Sequence, residues 1–413
     1  MQREAAVAPA SNAMRFARLV VGAWLLVLAV VCVRTLVQPR LHSTYPIFIG
    51  AARNWLAGED LYYKSRAPKG GLDDFRYSPV SAVLLTPLAV LPDNIGGVLW
   101  RLLNAAALAG GMLWCCRSLF PQALNRHQRL LLFLLVLPLA AGNFNNGQSN
   151  PLVLGLVLCT VAAAAECRWN TAAVCIAIAS LLKIYPIGIG LVLVVLYPRQ
   201  FFSRFTLALC AGLILPFLLQ HPDYVRTQYA EWVVCLTGDD RHARPLAGCY
   251  RDFQLLCRLY LTQLGPAIYR VVEITAGAVV AGLCMAARRA DWPRIRFLNF
   301  ALALGCCWMT VFGPATESAT YMLLAPSLAY TLIEAWSDGQ GAWLCRLLAA
   351  NYAVFVIAQV EGCFAGPGIL RPHGVQPLAG LLFAGLLLAS HSKKTKAAQV
   401  PVQSLPADHL KAA

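Results

Sequence analysis

Four acidic residues crowd one polar stretch of this chain: Glu59 and Asp60 in GEDLYY, and Asp73 and Asp74 in GGLDDF. A carboxylate held where a hydroxyl arrives can take its proton as general base, a role worth ~10²–10⁴ in rate. The competing reading of each is solvated loop charge. Glu317, in FGPATESATYMLLAP, is a fifth candidate, read either as an ionisable group placed at membrane depth for function or as a first-turn acid favoured by a helix dipole. Lys183, in SLLKIYPIG, closes an apolar run just before Pro186, where a cation can hold a phosphate. Its bland counterpart is a lysine snorkelling to the interface. The run GNFNNGQSNP, residues 142–151, groups Asn143, Asn145, Asn146, Gln148, Ser149 and Asn150. Such amides suit hydroxyl recognition or the capping of the next helix. Trp55, with Tyr62 and Tyr63 behind it, offers aromatic faces to a sugar or an anchor at the membrane border.

The elements that carry these residues are membrane helices. Of 413 residues, 59% are hydrophobic and 13% charged, too little charge to cover a soluble globule. Apolar runs such as Phe16–Val37, Leu130–Leu139, Pro151–Ala164, Ile187–Tyr197 and Phe205–Leu219 recur, each followed by Arg, Pro, Asn or Gly. The pattern predicts an all-α polytopic bundle of about twelve transmembrane helices, because lipid demands that every backbone hydrogen bond be made within the segment. The first run follows Arg15 and Arg18 like a signal peptide, but its length and the lack of a small-residue cleavage site make it helix one.

Cationic loops orient the bundle. Arg15 and Arg18, Arg117–Arg129, Arg168, Arg199 and Arg204, Arg288–Arg296 and Lys393–Lys396 are expected on the cytoplasmic side. Loops 38–79, 142–149, 220–266, 313–318 and 361–374 then face outward, with 38–79 carrying interfacial helices. This parity requires that Pro79–Leu91 not cross, and Pro79, Pro87 and Pro92 make it short and broken. Residues 14–390 form the transmembrane domain, between disordered cytoplasmic ends at 1–13 and 391–413. Loop 220–266, with Asp223, Asp252, Gln254 and Trp232, frames an acceptor groove in this reading.

The net charge of +15 is spread over short loops and forms no single basic face, which argues against nucleic acid and for anionic lipid headgroups. The 15 cysteines lie mostly in apolar runs as small hydrophobes. Cys235, Cys249, Cys257 and Cys363 fall in outward loops, where unpaired thiols and one disulfide are both open. Nucleotide fingerprints and metal-ligand spacings are absent from the sequence.

Taken in order, AARNWLAGEDLY, FRYSPVSAVLLTPLAVLP, NGQSNPLVLGLVL and LLKIYPIGIGLVLV resemble glycosyltransferase family 87, the polyprenol-phosphate-mannose-dependent α-mannosyltransferases. The likeness is strongest over residues 40–200. It implies a GT-C type bundle, a polyprenyl-phosphate sugar as donor, and transfer of a hexose to a glycan or lipid acceptor on the non-cytoplasmic face. No metal or cofactor is implied. Lys183, Gln148 and Asn150 match the family's recurring positions; Lys183 is expected near the donor phosphate with Arg76 as helper, since a cation offsets charge developing there, and Tyr77, Tyr321 and Trp55 are further candidates for substrate contact. The family's catalytic Asp in the first outer loop is replaced here by Thr44, in STYPIFIGAA, so either Asp73, Asp74, Glu59 or Glu317 supplies the base or the chain no longer transfers sugar as the family does. In TESATY, Glu317 and Tyr321 stand where the family has aromatic and His residues.

Two other classes meet the same observations. A transporter or flippase of a lipid-linked or polar solute also needs intramembrane charge and broken helices, but it predicts matching halves, which are not seen. An inactive family member that binds lipid-linked sugar accounts for Thr44.

Overall fold

The computed structural model describes residues 8–62, 75–120, 124–238, 246, 248–361 and 370–399. Asp73 and Asp74 lie outside these, as do Tyr63 and Cys363. The described residues form helices and no strands. In chain order they are α1 (Ala8–Val37), α2 (Tyr45–Ala57), α3 (Pro79–Ala89), α4 (Asp93–Ser118), α5 (Arg126–Asn146), α6 (Asn150–Ala165), α7 (Trp169–Leu182) and α8 (Ile187–Leu196). Then follow α9 (Pro198–Ile214), α10 (Pro222–Gly238), α11 (Phe253–Tyr260), α12 (Pro266–Arg289), α13 (Arg294–Val311), α14 (Ala325–Ser337), α15 (Ala342–Glu361) and α16 (Val375–Gln399).

Among the described residues, 7 helices are long and apolar enough to cross a membrane: those around α1, α4, α5, α9, α12, α13 and α15. Shorter apolar helices α3, α6, α7, α8 and the first part of α16 join them. Leucines and valines point outward from the long ones, as at Leu26, Leu207 and Val271, while α6, α13 and α14 are buried. Apolar surface turned outward and small or apolar residues turned inward is the arrangement that lipid as solvent selects. The chain is an integral membrane protein of all-α class, with fewer helices of spanning length among the described residues than the twelve expected.

The cationic loops meet at one end. There Trp114 donates to Glu166 at 2.7 Å, Arg204 to Asn170 at 2.8 Å and Gln128 to Ser337 at 2.6 Å. Arg288 stacks over Tyr197. The loops expected outward gather at the other end: Thr44 N–H reaches the Asn146 carbonyl at 2.8 Å, Arg251 N–H the Thr316 carbonyl at 2.7 Å, and Gln359 the Ser318 carbonyl at 2.8 Å. Helix α3, of 11 residues, is about 17 Å long and cannot span a ~30 Å hydrocarbon layer. It packs on α2 as a lid at this second end, as an interfacial helix should.

A separate core builds that lid. Tyr45, Phe48, Ile49, Trp55, Leu61, Phe75, Val83, Leu85, Trp100 and Val225 bury one another. Pro46 starts α2 and Gly58, at φ 69°, ends it in the left-handed conformation that glycine alone adopts without strain. Trp55 is 2% exposed and packs against Tyr224 with ring centroids 5.5 Å apart. Expected to touch substrate, it instead holds the lid together, because a large ring with an apolar face finds more contact in a core than at an aqueous rim. At the opposite termini, α1 is already helical from Ala8 and α16 continues to Gln399.

Candidate active site

A cavity of about 470 Å³ opens at the lid end, where the α7–α8 connection meets the segment 76–78, α10 to α12, and the turn before Ser318. Among its lining residues are Lys183, Arg76, Tyr77, Tyr250, Glu273 and Glu317. Residues separated by more than two hundred positions thus share one chamber.

Lys183 is placed by the break between α7 and α8. The residue is extended, at φ −146° and ψ 136°, because Pro186 cannot continue α7. Its ammonium donates to Asn150 Oδ1 at 2.7 Å, and the Tyr185 hydroxyl donates to the same oxygen at 3.0 Å. Asn150 Nδ2 donates to Asn143 Oδ1 at 2.9 Å, and Asn143 Nδ2 to the Ala319 carbonyl at 3.1 Å. One chain of amides therefore ties the lysine to both ends of the 143–150 loop and to the turn bearing Glu317. The rings of Tyr77 and Tyr185 lie 5.8 Å and 5.7 Å from the ammonium, close enough for cation–π attraction.

Burial pushes the Lys183 ammonium down to about 8, with Arg76 lowering it further and Glu317 drawing it back up. Desolvation disfavours the charged form and a nearby carboxylate favours it. A lysine poised this way gains its proton back when an anion enters. Burial likewise holds the Tyr185 phenol well above its ordinary range, so it stays a hydrogen-bond donor.

Glu317 follows Ala315, whose φ of 57° is uncommon for a residue with a side chain. The sharp turn ends in a cap: Glu317 N–H donates to Thr320 Oγ1 at 3.2 Å. Gln148 Nε2 approaches the Glu317 carboxylate at 3.5 Å. Gln148 is 7% exposed and its Oε1 has no hydrogen-bond partner among the described residues, so an acceptor is left for a hydroxyl. Arg76 donates to the Tyr250 hydroxyl at 2.9 Å, and Trp232 to the Arg76 carbonyl at 3.3 Å.

The structure therefore brings together Lys183, Arg76, Tyr77, Gln148, Asn150 and Glu317. It does not bring Trp55 or Tyr321. Tyr321 is 1% exposed and donates to the Arg251 carbonyl at 2.7 Å; buried against Phe355, it is a strut beneath the site, since its hydroxyl is spent on the backbone. Glu59 and Asp60 are exposed on the lid and do not line the cavity. Cys249 and Cys257 are free thiols, and Cys235 lies 4.0 Å from the Phe75 carbonyl.

Gln254 and Trp232, expected to frame an acceptor groove, do line the cavity, whereas sequence reasoning passed over Tyr250, Tyr269, Arg270 and Glu273, which line it as well. Arg270 and Glu273 in PAIYRVVEIT are charged residues near the start of an apolar helix, and that was the available signal. Glu273 is held near the site from below, where Trp308 Nε1 donates to its carbonyl at 2.9 Å.

The sequence profile of glycosyltransferase family 87 matches residues 75–314. That span contains Arg76, Tyr77, Gln148, Asn150 and Lys183 and stops short of Glu317. No curated protein matches the chain. Two solved structures show a likeness. The crystal structure of ArnT from Cupriavidus metallidurans in the apo state is 14% identical, with a TM-score of 0.43 over 95% of this chain and 79% of that chain. The crystal structure of ArnT from Cupriavidus metallidurans bound to undecaprenyl phosphate is 15% identical, with a TM-score of 0.37 over 91% and 78%. At those scores neither likeness defines the fold.

Proposed function

Because the chain belongs to glycosyltransferase family 87, we propose that it transfers a hexose, mannose, from a polyprenyl-phosphate donor to a hydroxyl of a glycan or lipid acceptor. The lid end faces the non-cytoplasmic side of the cell membrane in this reading, since the cationic loops collect at the opposite end. The observation that carries the proposal is the presence, in one cavity, of the half-buried Lys183 ammonium and the Glu317 carboxylate.

Transfer forms a bond between the acceptor oxygen and the anomeric carbon and breaks the bond from that carbon to the donor phosphate, with inversion. Charge grows on the departing phosphate, where Lys183 and Arg76 offset it; fixed cations in a site that excludes water act far more strongly than in solution. The acceptor proton passes to Glu317, with Asp73 and Asp74 as the alternative bases. Gln148 Oε1 is free to accept from a substrate hydroxyl. The reaction so written calls for no cofactor.

The test is transfer from radiolabelled polyprenyl-phosphate mannose into membrane lipids or glycans, with wild type beside Glu317→Gln, Asp73→Asn, Asp74→Asn and Lys183→Ala. Loss in Lys183→Ala and in one carboxylate variant, at normal expression, supports the reading and names the base. A wild type that transfers neither mannose nor another hexose overturns it.

A further inference from the structure

Arg101 is 2% exposed, yet the described residues give it no carboxylate. Its guanidinium is satisfied by neutral groups: Nε donates to the Phe144 carbonyl at 3.0 Å, Nη1 to the Gly97 carbonyl at 3.0 Å, and Nη2 to the Asn145 carbonyl at 3.0 Å and Ser43 Oγ at 3.1 Å. A buried cation is costly unless its donors are matched. Here two of the four bonds go to the last turn of α5, whose carbonyls have no partner within the helix and carry the negative end of its dipole, and the others to α4 itself and to Ser43.

The neighbouring residues on the same face of α4 serve the same loop. Trp100 Nε1 donates to the Gly147 carbonyl at 2.8 Å, and Asn104 Oδ1 accepts from Leu152 N–H at 3.0 Å. Thr44 Oγ1 adds bonds to the carbonyls of Asn146 and Gly147 at 3.2 Å and 3.1 Å. Gly147, at φ 63°, lies so near that a Cβ there would meet Arg101 Nη2 and Ser43 Oγ at 3.2 Å. The loop so gripped delivers Asn143 at one end and Asn150 at the other, and Asn150 holds Lys183.

We infer that Arg101 is a positioning residue for the donor-phosphate site: it clamps the α5–α6 loop so that Asn150 presents its oxygen to the Lys183 ammonium. The inference rests on the proposed function for its catalytic meaning, but its geometry does not. The groups facing Lys183 are Glu317, Arg76, Tyr77 and Tyr185, and none of them touches Arg101. Lysine cannot reproduce the fork that reaches four acceptors, so Arg101→Lys loosens the loop. Trp100→Phe removes one bond and keeps a ring in the core.

The experiment uses the full-length protein in lipid nanodiscs and reads the pH profile of Lys183 acylation by mass spectrometry, together with binding of polyprenyl phosphate. In Arg101→Lys and Trp100→Phe the Lys183 midpoint falls by about half a pH unit or more, because the hydrogen bond favouring its charged form is weakened. Affinity for polyprenyl phosphate drops about tenfold in Arg101→Lys, the scale of a displaced site group. Arg53→Lys, which alters a cation of the lid bonded to Ala89, Leu91 and Asp93, leaves the midpoint in place. A midpoint that stays with wild type in the folded variants, or moves equally in Arg53→Lys, overturns the inference. Should Arg101→Lys not fold, Trp100→Phe decides alone. A wild type that binds no polyprenyl phosphate counts against the proposed donor, while the acylation profile still decides the role of Arg101.

Discussion

The Lys183 ammonium donates to Asn150 Oδ1 at 2.7 Å, so the break after α7 is joined to the first residue of α6. Asn150→Ala deletes that acceptor together with the amide donor to Asn143. Each lost bond of this kind is worth about 1 kcal/mol in stability, more for one to a charge. The expected outcome is a protein that still folds, with hexose transfer reduced about tenfold or more through misplacement of the ammonium. Full transfer in Asn150→Ala, measured with labelled donor, would sink this link.

Burial lowers the Lys183 ammonium to about 8, and the sign of the resulting pH dependence is set by its charge. The group is protonated below about 8 and neutral above it. Binding of an anionic polyprenyl phosphate is therefore full on the acid side and weakens as pH rises through about 8. Bound phosphate raises the lysine's own value, so the profile of the complex lies at higher pH than that of the free protein. In Lys183→Arg this step disappears, since a guanidinium stays charged. Affinity titrations across this range, in which wild type shows no loss on the alkaline side, would count against a phosphate at this lysine.

Two carboxylates line the cavity, and they are expected to differ. Glu317→Gln keeps the shape and removes the charge, so loss of a general base should lower transfer by ~10²–10⁴. It should also lower the Lys183 midpoint, because the Glu317 charge holds that lysine up. Glu273→Gln should cost far less transfer. Paired rate and acylation measurements check both, and a Glu317→Gln enzyme at wild-type speed moves the base to Asp73 or Asp74.

Helices α4 and α6 touch backbone to backbone. A Cβ on Gly111 would come to 2.6 Å from the Gly155 carbonyl, and one on Gly155 would strike the carbonyl of Ala107. Close approach through small residues is how helices gain packing energy where lipid offers no hydrophobic drive. Gly155→Val should destabilise the fold by about 1–3 kcal/mol, a typical cost of overpacking, and lower the detergent unfolding temperature. Gly110→Ala, with open space around it, should not. Equal unfolding temperatures for the two would refute this account of the contact.

The class of the protein and the sorting of its loops were legible before any coordinates. Apolar length, proline breaks and the placement of Arg117–Arg129 or Arg288–Arg296 are local, additive properties, and the two loop sets do gather at opposite ends. The level at which Lys183, Gln148 and Asn150 lie was legible for a similar reason, since each sits at a helix end with little choice of depth. The 11 residues of α3 were too few to cross, which composition alone could suggest.

Trp55 and Tyr321 show where that reading stops. Both are amphipathic rings in a polar context, and periodicity cannot say whether such a ring faces a cavity or seals a core. Arg101, met in sequence as one more arginine in an apolar run, became a buried clamp because the end of α5 returns to it across α4. The meeting of Lys183 with Glu317 and Glu273 was equally invisible, because it depends on how α7, α12 and the turn after α13 converge. Local pattern dictates that helices form and at what depth their ends lie; only packing among helices, which depends on side-chain shape at contacts remote in sequence, decides which acid meets which cation.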